Sequence, residues 1–179
     1  MNLCRVPLNL SPSAIWARNG ITVAGIGNGT SGDTLNNLSF NYSIYMTHEN
    51  VLYVTDMDNS RIVLTGPNSK TAIAVIPDDS NCSSPVSGPV DVFVTENYVY
   101  VGEMTNFHVV RFFKNRTQPI TVAVITGVGR PGETTAAIGS FHNLFVEVNE
   151  NLYVSASTNN RVVRYLSNSS NGTSGMIVA

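Results

Sequence analysis

A unit of about fifty residues recurs three times along the chain, and this repetition limits the possible folds more than any other feature. Its copies are Glu49-Asn50-Val51-Leu52-Tyr53-Val54, Glu96-Asn97-Tyr98-Val99-Tyr100-Val101 and Glu150-Asn151-Leu152-Tyr153-Val154. Seven residues beyond each closing Val stands a cation or a histidine, Arg61, His108 and Arg161, and a β-branched pair follows it. The reference valines 54, 101 and 154 are 47 and 53 residues apart. Short apolar stretches precede each unit (Ile44-Tyr45-Met46, Val90 to Val94, Phe145 to Val148). Strand-like runs follow the first two (Thr71 to Ile76, Ile120 to Gly127), and Met176 to Ala179 begins a third. No segment places apolar residues at helical spacing over three turns.

Each repeat therefore reads as four short strands rich in β-branched and aromatic residues, punctuated by Asn, Gly, Ser and Pro. Four antiparallel strands per repeat of this length make a β-propeller blade. Such a sheet is apolar on both faces and must stack on its neighbours to bury them. The fold class expected is all-β: three four-stranded blades, about 40–76, 88–127 and 141–179, plus a leading strand at Ile21 to Gly27. Residues 1–19 are expected to form an N-terminal extension, as loop or partial strand, ahead of a propeller segment over 20–179. Three blades fall short of the four to eight of a closed ring. The expectation is half of a six-bladed ring with two exposed faces prone to self-association.

Leu52-Tyr53-Val54-Thr55-Asp56 with Asn59-Ser60-Arg61-Ile62-Val63 resembles the NHL repeat, as do Asn159-Asn160-Arg161-Val162-Val163 and Ile21-Thr22-Val23-Ala24-Gly25-Ile26-Gly27. The likeness covers nearly all of residues 20–179. Glu103 and Ala156 stand where that family usually has Asp, His108 where it has Arg, and Tyr42 and His142 where its leading Pro survives only as Pro89. The resemblance implies a propeller and an Asp–Arg contact in the first repeat. It also points to an enzyme alternative, because the family's relatives include an amidating lyase that holds zinc with histidines from different blades.

Composition narrows the function. The net charge is −2 and only Lys70 and Lys114 are lysines, so no basic stripe exists to track phosphates or an anionic membrane. Neither nucleic-acid binding nor membrane contact by this segment is expected. Cys4 and Cys82 allow at most one disulfide, and neither belongs to a CxxC pair. Eight sequons, at Asn9, Asn28, Asn37, Asn41, Asn81, Asn115, Asn168 and Asn171, fall beside expected loops and point to an extracellular or secretory location.

Chemistry-bearing motifs are few. Two Gly-x-Gly-x-x-Gly strings, from Gly27 and from Gly127, lack the following helix that a dinucleotide needs, so no cofactor is expected. His48, His108 and His142 lie at unequal distances from their reference valines, six before, seven after and twelve before, which argues against a shared metal site. Asp56 with Asp58 reads as turn chemistry rather than a calcium loop. No catalytic residue is assigned. The candidate contact set is the turn between second and third strands: Asp56, Asp58, Asn59, Arg61, Glu103, Asn106, His108, Asn159, Asn160 and Arg161. The function expected is a non-enzymatic extracellular binding or scaffold module, taking a protein or other ligand through these loops. The alternative is a fragment of a propeller enzyme, amidating-lyase-like or lactonase-like, with most catalytic residues outside this chain. If the secretory location holds, glycosidase treatment of protein from a secretory host will lower its intact mass, with Asn28, Asn81 and Asn168 the first sites to check.

Overall fold

The computed structural model describes residues 13, 15, 17–69, 71–76, 86–114, 138–140, 142–170 and 173–179, with the backbone of 119–124. Cys4, Cys82, the sequons at Asn9, Asn81, Asn115 and Asn171, and the glycine string from Gly127 lie outside these. Twelve strands form three antiparallel four-stranded sheets. The first is β1 (Ile44–Met46), β2 (Leu52–Asp56), β3 (Arg61–Thr65) and β4 (Ala72–Ile76). The second is β5 (Pro89–Val94), β6 (Tyr98–Glu103), β7 (His108–Phe113) and β8 (Pro119–Val124). The third is β9 (Leu144–Val146), β10 (Leu152–Ala156), β11 (Arg161–Tyr165) and β12 (Met176–Ile177). A single 3-10 turn, Ser157–Asn159, is the one helical element among the described residues. The three Tyr-Val segments are second strands, as the repeat requires, and the fold is all-β.

Tight turns join the strands because the sequence supplies left-handed positions where they are needed. Asn50 (φ 60) and Glu150 (φ 61) occupy the same place in the turn between first and second strands. Ser60 (φ 51), Phe107 (φ 52) and Asn160 (φ 48) do so between second and third. Phe107 is a costly choice for that conformation, which suits Asn or Gly better.

Strand register gives each sheet a consistent pair of faces. Tyr53 pairs with Leu64, Tyr100 with Arg111, and Tyr153 with Arg164. The face bearing this Tyr row points toward the next sheet along the chain and is called the leading face here. The face bearing the reference Val points to the previous sheet and is the trailing face. Tyr53, Ile62, Leu64 and Ile76 of the first sheet pack against Val92, Val99, Val101, Val110 and Phe112 of the second. Val90, Tyr100 and Val109 of the second pack against Leu144, Leu152, Val154 and Val163 of the third. Both seams are almost fully buried, and each large side chain within them is worth roughly 1.5–3 kcal/mol of transfer free energy.

The leading strand at Ile21 to Gly27 does not form. Residues 20–28 contain bends and turns only, and Gly25 and Gly29 have φ of +79 and +75. β-Propensity alone does not make a strand without a partner ladder, and β12 already holds the outer position of the third sheet. Ile21, Thr22 and Val23 instead line a cavity against Met46 and Leu52 of the first sheet.

One carboxylate ties all three sheets together. Asp91 on β5 accepts from Ser43 Oγ at 2.5 Å, beside β1, and from the Leu144 N–H at 2.7 Å, on β9. Its own neighbour Val92 donates a third bond at 2.9 Å. Burial pushes the Asp91 carboxyl above the usual range, and these bonds pull it some of the way back. A buried acid with a raised folded pKa makes the fold lose stability as pH climbs from the ordinary carboxylate range through that raised value. Asp91→Asn, which cannot accept from both sides, is expected to cost about 1–3 kcal/mol at pH 7. It should also remove this contribution to the slope, and urea titrations of both proteins between pH 4 and 7 check each point.

Candidate functional site

The end of the sheets where second strands turn into third strands also receives the crossovers that enter each first strand. All ten residues of the candidate contact set lie here, and the structure divides them by role. In the first sheet Asp56 is fully buried, and both its oxygens are occupied. Arg61 Nε donates to Oδ2 at 2.6 Å, the Ser39 N–H donates to Oδ1 at 2.7 Å, and Asn59 Nδ2 reaches both oxygens at 2.9 Å. The rest of the Arg61 guanidinium donates to the carbonyls of Asp33 (2.8 Å), Thr34 (2.7 Å) and Asn37 (3.0 Å). These three residues pin the crossover 32–39 onto the sheet. Asp58 is exposed and accepts from Ser39 Oγ.

The second sheet repeats the arrangement with weaker groups. Glu103 is fully buried and meets His108 Nε2 at 3.0 Å and Asn106 Nδ2 at 3.0 Å, while its Oε1 has no partner among the described residues. In the third sheet Ala156 replaces the acid altogether. Ser140 takes over the crossover contact there, its N–H donating to Thr158 Oγ1 at 3.0 Å and its carbonyl accepting from Ser157 Oγ at 2.9 Å. Asn159 and Arg161 are half-buried, and Asn160 is exposed. Among the ten, only Asp58, Asn106 and Asn160 face solvent freely.

Sequence reasoning missed the most exposed chemistry at this end. Tyr42 and His142 stack with ring centroids 5.9 Å apart and planes 10° from parallel, and Tyr42 Oη lies 3.1 Å from His142 Nδ1. Phe40, at φ 54, tilts beside Tyr42 with centroids 6.4 Å apart. Phe40 is 65% exposed and Tyr42 46%. The stacked rings come from the entries to the first and third sheets and meet across the second. Asp91 fixes the relation by bonding Ser43 and Leu144, the one beside Tyr42 and the other two residues beyond His142. The signal was present in the repeat: both residues lie twelve positions before their reference Val, where Pro89 stands in the second unit.

The three histidines do not converge, and no cluster of three or more metal-ligating side chains occurs among the described residues. After Gly27, Gly29 and Gly32 the chain makes bends and turns rather than a helix. Of the described sequons, Asn28, Asn41 and Asn168 are exposed. Asn37 is buried, accepts from Thr34 Oγ1 and donates its Nδ2 to the Thr30 carbonyl at 3.1 Å, so the nitrogen that a glycan would need is enclosed.

No protein-family model matches the chain, and no curated protein matches it in sequence. Among solved structures it is similar to streptogramin B lyase, with a TM-score of 0.51 and 16% identity over 78% of this chain. That likeness supports a β-propeller-like fold. The matched region is 40% of the lyase chain.

The Asp56–Arg61 contact makes a sharp structural prediction. Arg61→Ala leaves Asp56 buried without its cation and frees three crossover carbonyls, at an expected cost of about 3–5 kcal/mol. Arg61→Lys should recover only a fraction of this, because an ammonium cannot reproduce the guanidinium fork. Chemical denaturation of the three proteins reads both effects.

Proposed function

We propose that the chain belongs to an NHL-type propeller that serves as an extracellular binding module, and that its ligand contacts the ring ladder Phe40, Tyr42 and His142. The stack of Tyr42 on His142 carries this reading. Two aromatic rings 100 residues apart in sequence are held together in solvent by a buried carboxylate. Rigid, exposed aromatic surface of this kind dominates many recognition sites because it supplies contact area at little entropic cost. Asp58, Asn106 and Asn160 surround the ladder with hydrogen-bonding groups that carry little charge. Such a surface suits a protein partner that presents a proline or aromatic side chain. The exposed sequons Asn28, Asn41 and Asn168 support the extracellular location.

A second reading comes from the likeness to streptogramin B lyase: the chain is a fragment of a propeller enzyme, and the Tyr42–His142 pair moves a proton. A lyase opens its substrate without adding water. Incubation with streptogramin B would then shift the compound's retention without changing its mass.

For the binding reading, the chain is screened on arrays of extracellular-protein peptides. The expected result is a set of Pro- or aromatic-containing hits that the Tyr42→Ala/His142→Ala variant loses by at least about tenfold in affinity. Hits that both proteins bind equally would place the contact elsewhere.

A further inference from the structure

The two seams between sheets follow one rule, and the rule leaves one leading face and one trailing face unused. At the seam between the second and third sheets, three contacts go beyond general packing. Tyr100 Oη donates to Glu150 Oε2 at 2.8 Å. Arg111 lies 4.4 Å from the Tyr98 ring centroid and donates to the Ser167 carbonyl at 3.2 Å. Near the inner strands Phe93 meets Phe145 with centroids 5.4 Å apart, continuing a column that begins with Tyr45 on Phe93 at 4.9 Å.

The free leading face of the third sheet carries the same donors. Tyr153 and Arg164 are register partners as Tyr100 and Arg111 are, and Phe145 occupies the column position with 44% of its surface exposed. Arg164 donates to Met176 Sδ, and its buried Nε has no partner among the described residues. The free trailing face of the first sheet carries the matching acceptors. Asn50 stands where Glu150 stands, with the same left-handed backbone, and Pro67 stands where Ser167 does, each equally far from its reference Val. A cavity of about 380 Å³ lies there, lined by Met46, Asn50, Leu52, Gly66 and Asn68 with Ile21 and Val23 opposite. It sits where the Tyr–Arg pair of a preceding sheet would enter.

We propose that this cavity is the socket for the third sheet of a second copy of the chain. Tyr153 of one copy donates to Asn50 of the other, Arg164 donates to the Pro67 carbonyl, and Phe145 extends the aromatic column onto Tyr45. The contact is head-to-tail, and two copies make it twice about a twofold axis along the channel. The closed assembly has six sheets, within the range of closed propellers. The occupant is a second copy because the contact continues an interface already built within the chain, and both halves of it are carried by the same polypeptide.

Light scattering on the purified chain tests this directly. The expected mass is twice the 19.3 kDa of one chain. Met46→Glu spoils the trailing face and Phe145→Glu the leading face; both side chains are more than two-fifths exposed, so each variant should fold, which circular dichroism confirms. Each alone should weaken the dimer by at least about a hundredfold. Mixed together they should associate, because one intact leading face then meets one intact trailing face. A monomeric wild-type chain would leave the socket to a further blade or another protein and overturn the proposal. So would a dimer that survives both substitutions. A mixture that stays monomeric would overturn the head-to-tail geometry.

Discussion

A small sheet that is apolar on both faces has no stable existence alone, and everything else in this molecule follows from how that problem is met. The alternation of side chains along each strand sends the Tyr row to one side and the Val row to the other. Because all three sheets keep the same register, leading face meets trailing face at both seams. Tyr53 and Tyr100 fill equivalent positions in successive repeats. The seams use branched aliphatics at the strand centres and bring polar contacts in only at their margins. Tyr100 shows the compromise: its ring is buried, its hydroxyl is pushed to a higher pKa by that burial, and Glu150 accepts a hydrogen bond from it.

Much of this was legible in the chain itself. The second strands could be placed because Leu-Tyr-Val and its variants recur at a fixed distance from Arg61, His108 and Arg161, and turn residues bracket them. The misread strand at Ile21 to Gly27 shows the limit of that signal. Its residues have the right propensity, but a strand exists only in a ladder, and no local property announces that a partner is missing. Asp56, Asn59 and Arg61 were recognisable as a cluster, and their role was not. The groups they bind are the backbone carbonyls of Asp33, Thr34 and Asn37 and the amide of Ser39, which no side-chain motif encodes. His142 looked isolated because comparison among histidines alone puts it out of register, whereas its true counterpart is a tyrosine.

The three turns between second and third strands record how far one device can erode in a repeat. Asp56 with Arg61 is fully satisfied, Glu103 with His108 leaves an oxygen orphaned, and Ala156 abandons the acid. What survives in all three is the purpose, which is to hold the incoming crossover against the sheet. In the third sheet hydroxyls of Ser157 and Thr158 do this without charge. That freedom explains why the side chains at the rim diverge while the strands do not.

Repeat proteins often unfold piecemeal, since each unit touches only its neighbours and end units fray independently. The Asp91 carboxylate breaks that pattern. Its two oxygens are shared between the first and third sheets, so neither outer sheet can peel away without stranding a buried charge on the middle one. Amide exchange from β2, β6 and β10 should therefore be governed by a common opening event, with the protection of one strand rising and falling with that of the others. A fold assembled from nearly interchangeable units behaves, through a single side chain, as one cooperative whole.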